Sequence, residues 1–133
     1  MKKTFKDLLE ADLVVGALYE KNPTLKDTKF GYAWTRFYTK NIEPTRKEMN
    51  EELMDARVEY ALTDTKTLAL VLDEKSRTGY AHSKDDFKKL LTQERKIFDS
   101  YTKKEIEVEP HISSEIPKDI TEIELESLKG LVL

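Results

Sequence analysis

Apolar residues fall at Phe30, Trp34, Phe37, Ile42, Met49, Leu53, Ala56 and Tyr60, within a segment otherwise rich in charge. Steps of three, four and seven keep these side chains on one stripe of a helix. The pattern predicts a long amphipathic helix from Asp27 to Leu62 as the organising element. Pro44 interrupts it. A proline inside a helix removes one backbone hydrogen bond and clashes with the preceding turn, costing about 3 kcal/mol or more. The stripe nevertheless keeps its phase from Ile42 to Met49, which favours a kinked long helix. The rival reading places a corner at Asn41-Ile42-Glu43, with Pro44 opening a new helix, where proline is well tolerated.

The same periodicity predicts a first helix over Thr4–Lys21. Thr4 and Asp7 have capping-box spacing. Its inward face is read as Phe5, Leu8, Leu9, Leu13 and Leu18, widened by Val14 and Val15. Asn22-Pro23 stops the helix, because the residue before proline avoids helical angles. The short link Thr24–Thr28 turns the chain back, so the first helix should lie antiparallel to the front half of the long one. A third helix is predicted from Ser83 to about Lys103. Its stripe is Phe87, Leu90, Leu91, Ile97, Phe98 and Tyr101, with acids in its first turn.

Between the long helix and this third one, Leu68–Leu72 and Tyr80–His82 flank a polar loop ending in Gly79. They read as a small β-hairpin leaning on the helices. Glu105–His111 alternates charge and apolar residue, as a short strand does, with Ile106 and Val108 inward. Thr121 and Glu124 again have capping-box spacing, opening a last short helix that Gly130 can end. The predicted fold is therefore mainly α: a long kinked helix packed with two to three shorter helices, plus a small β-hairpin or short strands. Residues 1–117 form the helical body. Residues 118–133 form an acidic C-terminal helix and apolar tail, either part of that domain or a docking segment.

Composition adds bounds. The chain has 133 residues, enough for one core without staples. It has no cysteine, which excludes a disulfide framework, a thiolate nucleophile and cysteine-ligated zinc. Asp7, Glu10 and Asp12 interrupt the N-terminal apolar residues, so no secretion signal is read there. No apolar run reaches the ~20 residues of a membrane span. A soluble protein without a membrane partner is expected. The net charge is −3. Lys104–Leu133 has three lysines against seven glutamates and one aspartate, which leaves a mildly basic remainder.

No chemistry-bearing motif emerges. His82 and His111 are far apart in sequence and read as turn residues, without metal-ligand spacing. The four glycines are scattered, so no phosphate loop forms. No catalytic residue, cofactor or metal is expected, and the chain reads as a non-enzyme. Two surfaces are candidates for binding. Leu125, Leu128, Leu131 and Leu133 could dock a partner, because a tail this apolar needs a cover. Tyr32, Arg36 and Lys40 form an exposed basic strip that could hold nucleic acid, although the acidic total weighs against that partner.

One resemblance supplies context. Asp-Leu-Leu-x-Ala at 7–11 is followed by Lys-Phe-Gly-Tyr-Ala at 29–33 and Ala-Arg-x-x-Tyr-Ala at 56–61. Glu-x-Glu-x-Glu-Pro at 105–110 and Ile-Pro-x-Asp-Ile-Thr-x-x-Glu at 116–124 close the chain. In this order the elements resemble a group of small tailed-bacteriophage proteins of unknown function, of helical-hairpin type. Gly31 and Pro44 depart from the uninterrupted long helix of that pattern. The resemblance implies a phage gene product located in the bacterial host cytoplasm or the virion. It would act by contact with another phage or host protein, as a virion or assembly component. A small inhibitor of a host or anti-phage defence protein is the alternative, and a nucleic-acid-binding accessory protein the third. Oligomerisation stays open.

Overall fold

A computed structural model describes residues 1–133. Its elements are β1 (Lys2–Thr4), α1 (Phe5–Lys21), a 3-10 turn (Pro23–Asp27), α2 (Lys29–Asn41), α3 (Glu43–Glu59), α4 (Lys84–Thr102), β2 (Glu105–Glu107) and α5 (Glu122–Leu128). The fold is mainly helical with one small antiparallel sheet. The chain divides into two compact units, one of Met1–Arg46 with Thr102–Leu133, the other of Lys47–Tyr101. Residues 118–133 thus fall in the same unit as the first helix. The C-terminal segment belongs with the N-terminal helices, because its apolar residues are buried in that unit.

The expected long helix is present as α2 and α3, interrupted only at Ile42. Ile42 keeps right-handed helical angles, φ −108° and ψ −49°. Its N–H donates to the Tyr38 carbonyl at 2.9 Å, and its own carbonyl accepts from Arg46 N–H at 3.0 Å. Pro44 lies in the first turn of α3, where a missing N–H costs little. The interruption falls at Ile42, inside the Asn41-Ile42-Glu43 corner of the rival reading.

In the first unit, α1 opens on the Thr4–Asp7 capping box in both directions. Phe5, Leu8, Ala11, Val15 and Leu18 are buried. Leu13, expected inward, is 74% exposed. A stripe through residues 8, 11, 15 and 18 leaves position 13 on the far side of the helix. Antiparallel packing of α1 and α2 follows from their contacts. Tyr19 meets Phe30 edge-on at 6.4 Å, while Asp12 pairs with Arg46, which also bonds Tyr38.

The 3-10 turn is seated directly on α2. A Cβ at Gly31 would overlap the carbonyl oxygens of Leu25 and Lys26. This explains a glycine in a helix that otherwise carries bulky residues. Gly31→Ala is expected to cost about 2–3 kcal/mol through overpacking against rigid backbone. A thermal melt checks it, and an alanine variant as stable as the parent would show that the turn yields freely.

The sheet differs from the expected hairpin. β1 pairs with β2, with Lys2 opposite Glu107, Lys3 opposite Ile106 and Thr4 opposite Glu105. One opposite-charge pair, Lys2 with Glu107, faces across the ladder, and the Met1 ammonium also pairs with Glu107 at 2.8 Å. The predicted strand at 105–111 is realised as Glu105–Glu107, and Val108 is buried. Beyond it, residues 109–118 run as a strap along α2. Buried Asn41 holds the strap's start as a peptide group would. Its Nδ2 donates to the Glu109 carbonyl and its Oδ1 accepts from Glu109 N–H, both at 2.8 Å. His111 and Ser113 N–H then donate to the Leu131 and Val132 carbonyls. Leu128, Leu131 and Val132 are buried, and α5 packs on α1.

In the second unit, α3 and α4 are antiparallel. Arg57 pairs with Glu94 near one end, and the Tyr101 hydroxyl bonds Glu52 nearer the other. Met49, Ala56, Leu90, Ile97 and Tyr101 are buried. Residues 68–72 and 80–82, expected as a hairpin, form no regular strands. They make two isolated bridges, Thr63 to Leu70 and Leu72 to Tyr80. Leu62, Val71 and Ala81 are linked by three single backbone bonds, so Leu62 competes for the pairing that a hairpin would need. His82 pins the loop to Tyr60, the residue that follows α3. Its Nδ1 donates to the Tyr60 carbonyl at 2.6 Å, and its Nε2 lies 2.7 Å from the Thr78 hydroxyl.

Candidate binding surfaces

Of the four leucines expected to dock a partner, Leu128 and Leu131 are core residues of the first unit, and Leu125 and Leu133 are half-buried. The tail covers its own apolar surface by folding against α1. The docking expectation for this set is corrected on that ground. The third helix was expected to bury its whole stripe, but Leu91 and Phe98 remain 45% and 47% exposed.

Those two residues belong to an apolar face of the α3–α4 hairpin. Leu91 lies three residues before Glu94 and Phe98 four after it, so all three share one stripe of α4. Met54 lies three residues before Arg57 on α3 and is 46% exposed. The Arg57 Nε to Glu94 Oε2 bond of 3.0 Å joins the two stripes. It therefore places Met54, Leu91 and Phe98 on the same side of the hairpin. Sequence periodicity found Leu91 and Phe98 but not Met54, and could not show which apolar residues were left uncovered.

Glu94 sits between Leu91 and Phe98 on this stripe and is the hub of an ion-pair cluster. Arg77 clamps both its oxygens, at 2.6 and 3.1 Å, while Arg57 takes one. The Arg77 guanidinium first, and Arg57 second, hold the Glu94 carboxyl below its usual range against the opposing effect of burial. Burial, the Glu52 hydrogen bond and the charges of Glu48 and Glu51 push the Tyr101 hydroxyl up. The charged borders of the face differ between helices. Exposed Glu51 and Asp55 stand beside Met54 on α3, and exposed Lys88 and Arg95 beside Leu91 on α4.

The second surface is a groove of about 550 Å³ in the first unit, between α2 and the strap. Lys29, Tyr32, Ala33 and Arg36 line one wall, and residues 110–114 the other. Tyr32 and Arg36 of the expected basic strip are both exposed here. Lys40 is not part of the groove and sits 3.6 Å from Glu109. In its place the fold brings Lys29 and His111. The Nε2 of His111 is enclosed and has no hydrogen-bond partner. The juxtaposition of residues 29–36 with 110–114 depends on the strap, and no local signal in the sequence announces it.

No helix is long and apolar enough to cross a membrane. The chain matches no family model, no curated protein and no solved structure.

Proposed function

We propose that this chain is a non-enzymatic protein that acts through protein–protein contact, as a virion or assembly component of a tailed phage, and that its first partner is a second copy of itself. The observation that carries the reading is the uncovered apolar face of Met54, Leu91 and Phe98 on the α3–α4 hairpin. Two packed helices leave such a face in water, and a second helical pair covers it in a four-helix arrangement. The borders of the face support a copy of the same chain. One side is acidic through Glu51 and Asp55, the other basic through Lys88 and Arg95. A two-fold operation that sets the α3 side of one copy against the α4 side of the other brings acid to base twice.

The phage context rests on the resemblance of the sequence segments, with the host cytoplasm or the virion as the setting. Sedimentation velocity on the full chain tests the self-contact directly. A dimer is expected in the parent, and monomer in Phe98→Glu and Leu91→Glu. Both positions are already half in water, so helix content by circular dichroism should stay unchanged. A parent that remains monomeric at high concentration overturns the self-contact. Recovery of the chain with purified particles tests the assembly role separately.

A further inference from the structure

The groove between α2 and the strap has a chemistry that the hairpin face lacks. Lys29, Tyr32 and Arg36 follow one another at helical spacing along its α2 wall. Arg36 is exposed and has no carboxylate partner among the ion pairs, whereas Lys29 lies 3.9 Å from Glu115. His111 borders the opposite wall, its backbone N–H fixed by the Leu131 carbonyl at 2.9 Å. Its Nε2 is enclosed and lacks a partner, so the ring has unmet hydrogen-bonding capacity beside the groove. An exposed tyrosine ring one turn from a free guanidinium offers a flat apolar surface next to a forked cation. That pairing suits a base and a phosphate.

We propose that this groove binds one nucleoside phosphate, with its base on the Tyr32 ring and its phosphate held by Arg36, with His111 on the facing wall. The volume is in the range of small-molecule sites. The surrounding charges select a single nucleotide over a long strand. Glu109 occupies Lys40 beyond one end of the groove, and Glu115 stands beside Lys29 at the other. A polyanion running past either end meets these carboxylates, whereas one phosphate does not. The source of the nucleotide is open to test, since a free nucleotide and the end of a strand present the same group.

Titration of the full chain with AMP, inorganic phosphate and a short oligothymidylate, followed by NMR of the histidine ring protons and by calorimetry, decides the matter. AMP is expected to bind with a dissociation constant on the order of 0.1 mM and to shift the His111 resonances while leaving those of His82 in place. Arg36→Ala is expected to weaken AMP about tenfold or more. Tyr32→Ala should weaken AMP but not phosphate. Both side chains are exposed, so the melting temperature of each variant should match the parent. Oligothymidylate binding only through its terminal phosphate would identify a strand end as a source and support the site. Absence of AMP binding at about 10 mM overturns the proposal, as does undiminished binding by Arg36→Ala. Phosphate binding as tight as AMP overturns the base seat. An oligomer that binds more tightly with each added nucleotide overturns the single-nucleotide reading.

Discussion

Deletion of Lys118–Leu133 is expected to unfold or nearly unfold the first unit. The deleted segment contributes Leu128, Leu131 and Val132, all buried. Each fully buried aliphatic side chain of this kind contributes about 1.5–3 kcal/mol. Together they amount to about 4.5–9 kcal/mol, comparable with the whole stability of a typical domain. The deletion also removes the Leu131 and Val132 carbonyls that accept from His111 and Ser113 N–H, so the strap loses its inner anchorage. Trp34 is the only tryptophan and lies in the first unit, which makes its emission a private reporter of that unit. In the truncated chain the emission should move toward that of indole in water, and circular dichroism should show partial loss of helix. A truncated chain that keeps the parental emission and melting temperature would remove the tail from the core.

The parts of the fold legible in the sequence are those set by local signals. Thr4 with Asp7 and Thr121 with Glu124 both form reciprocal capping boxes, because the groups that must meet are three residues apart. Asn22-Pro23 ends α1, and Asn22 Oδ1 accepts from Thr24 N–H to start the 3-10 turn. What escaped is long-range. β1 is only Lys-Lys-Thr, a sequence without strand character that becomes a strand because Glu105–Glu107 lies alongside. Asn41 reads as an ordinary polar residue near a helix end, yet its side chain bonds a backbone 68 residues away. Arg46, in the first turn of α3, likewise finds Asp12 of α1 at 3.0 Å.

The candidate surfaces follow the same division. Tyr32 and Arg36 were visible as exposed positions because Phe30, Trp34 and Phe37 claim the inward stripe. Lys29 and His111 join them only through the strap, and Lys40 leaves because Glu109 is delivered beside it. On α4, periodicity placed Leu91 and Phe98 with Leu90 and Ile97 on one broad face. In the structure the buried stripe is narrower, through Leu90, Ile97 and Tyr101. The hairpin thus carries an apolar stripe wider than its cover, and sequence alone cannot distinguish such a stripe from core.

Trp34→Ala is expected to destabilise the first unit by about 3–5 kcal/mol, a fall in melting temperature on the order of 10–20 °C. Trp34 is 6% exposed. Its ring stacks on Phe37 at 5.5 Å with the planes 23° apart and meets Tyr38 at 6.4 Å. Truncation therefore strips one ring from a three-ring set and leaves a cavity beside α1, where helices fixed by the Arg46–Asp12 pair have little room to collapse. Tyr38 would also lose a neighbour while still holding the Arg46 guanidinium, whose centre lies 5.5 Å from its ring. Trp34→Phe keeps most of the volume and should cost less than half as much. Chemical denaturation of the parent and both variants, followed by circular dichroism, gives the comparison. The folded parent should emit at the short wavelength of an enclosed indole. An emission maximum typical of indole in water, or an alanine variant within about 1 kcal/mol of the parent, would place Trp34 outside the core.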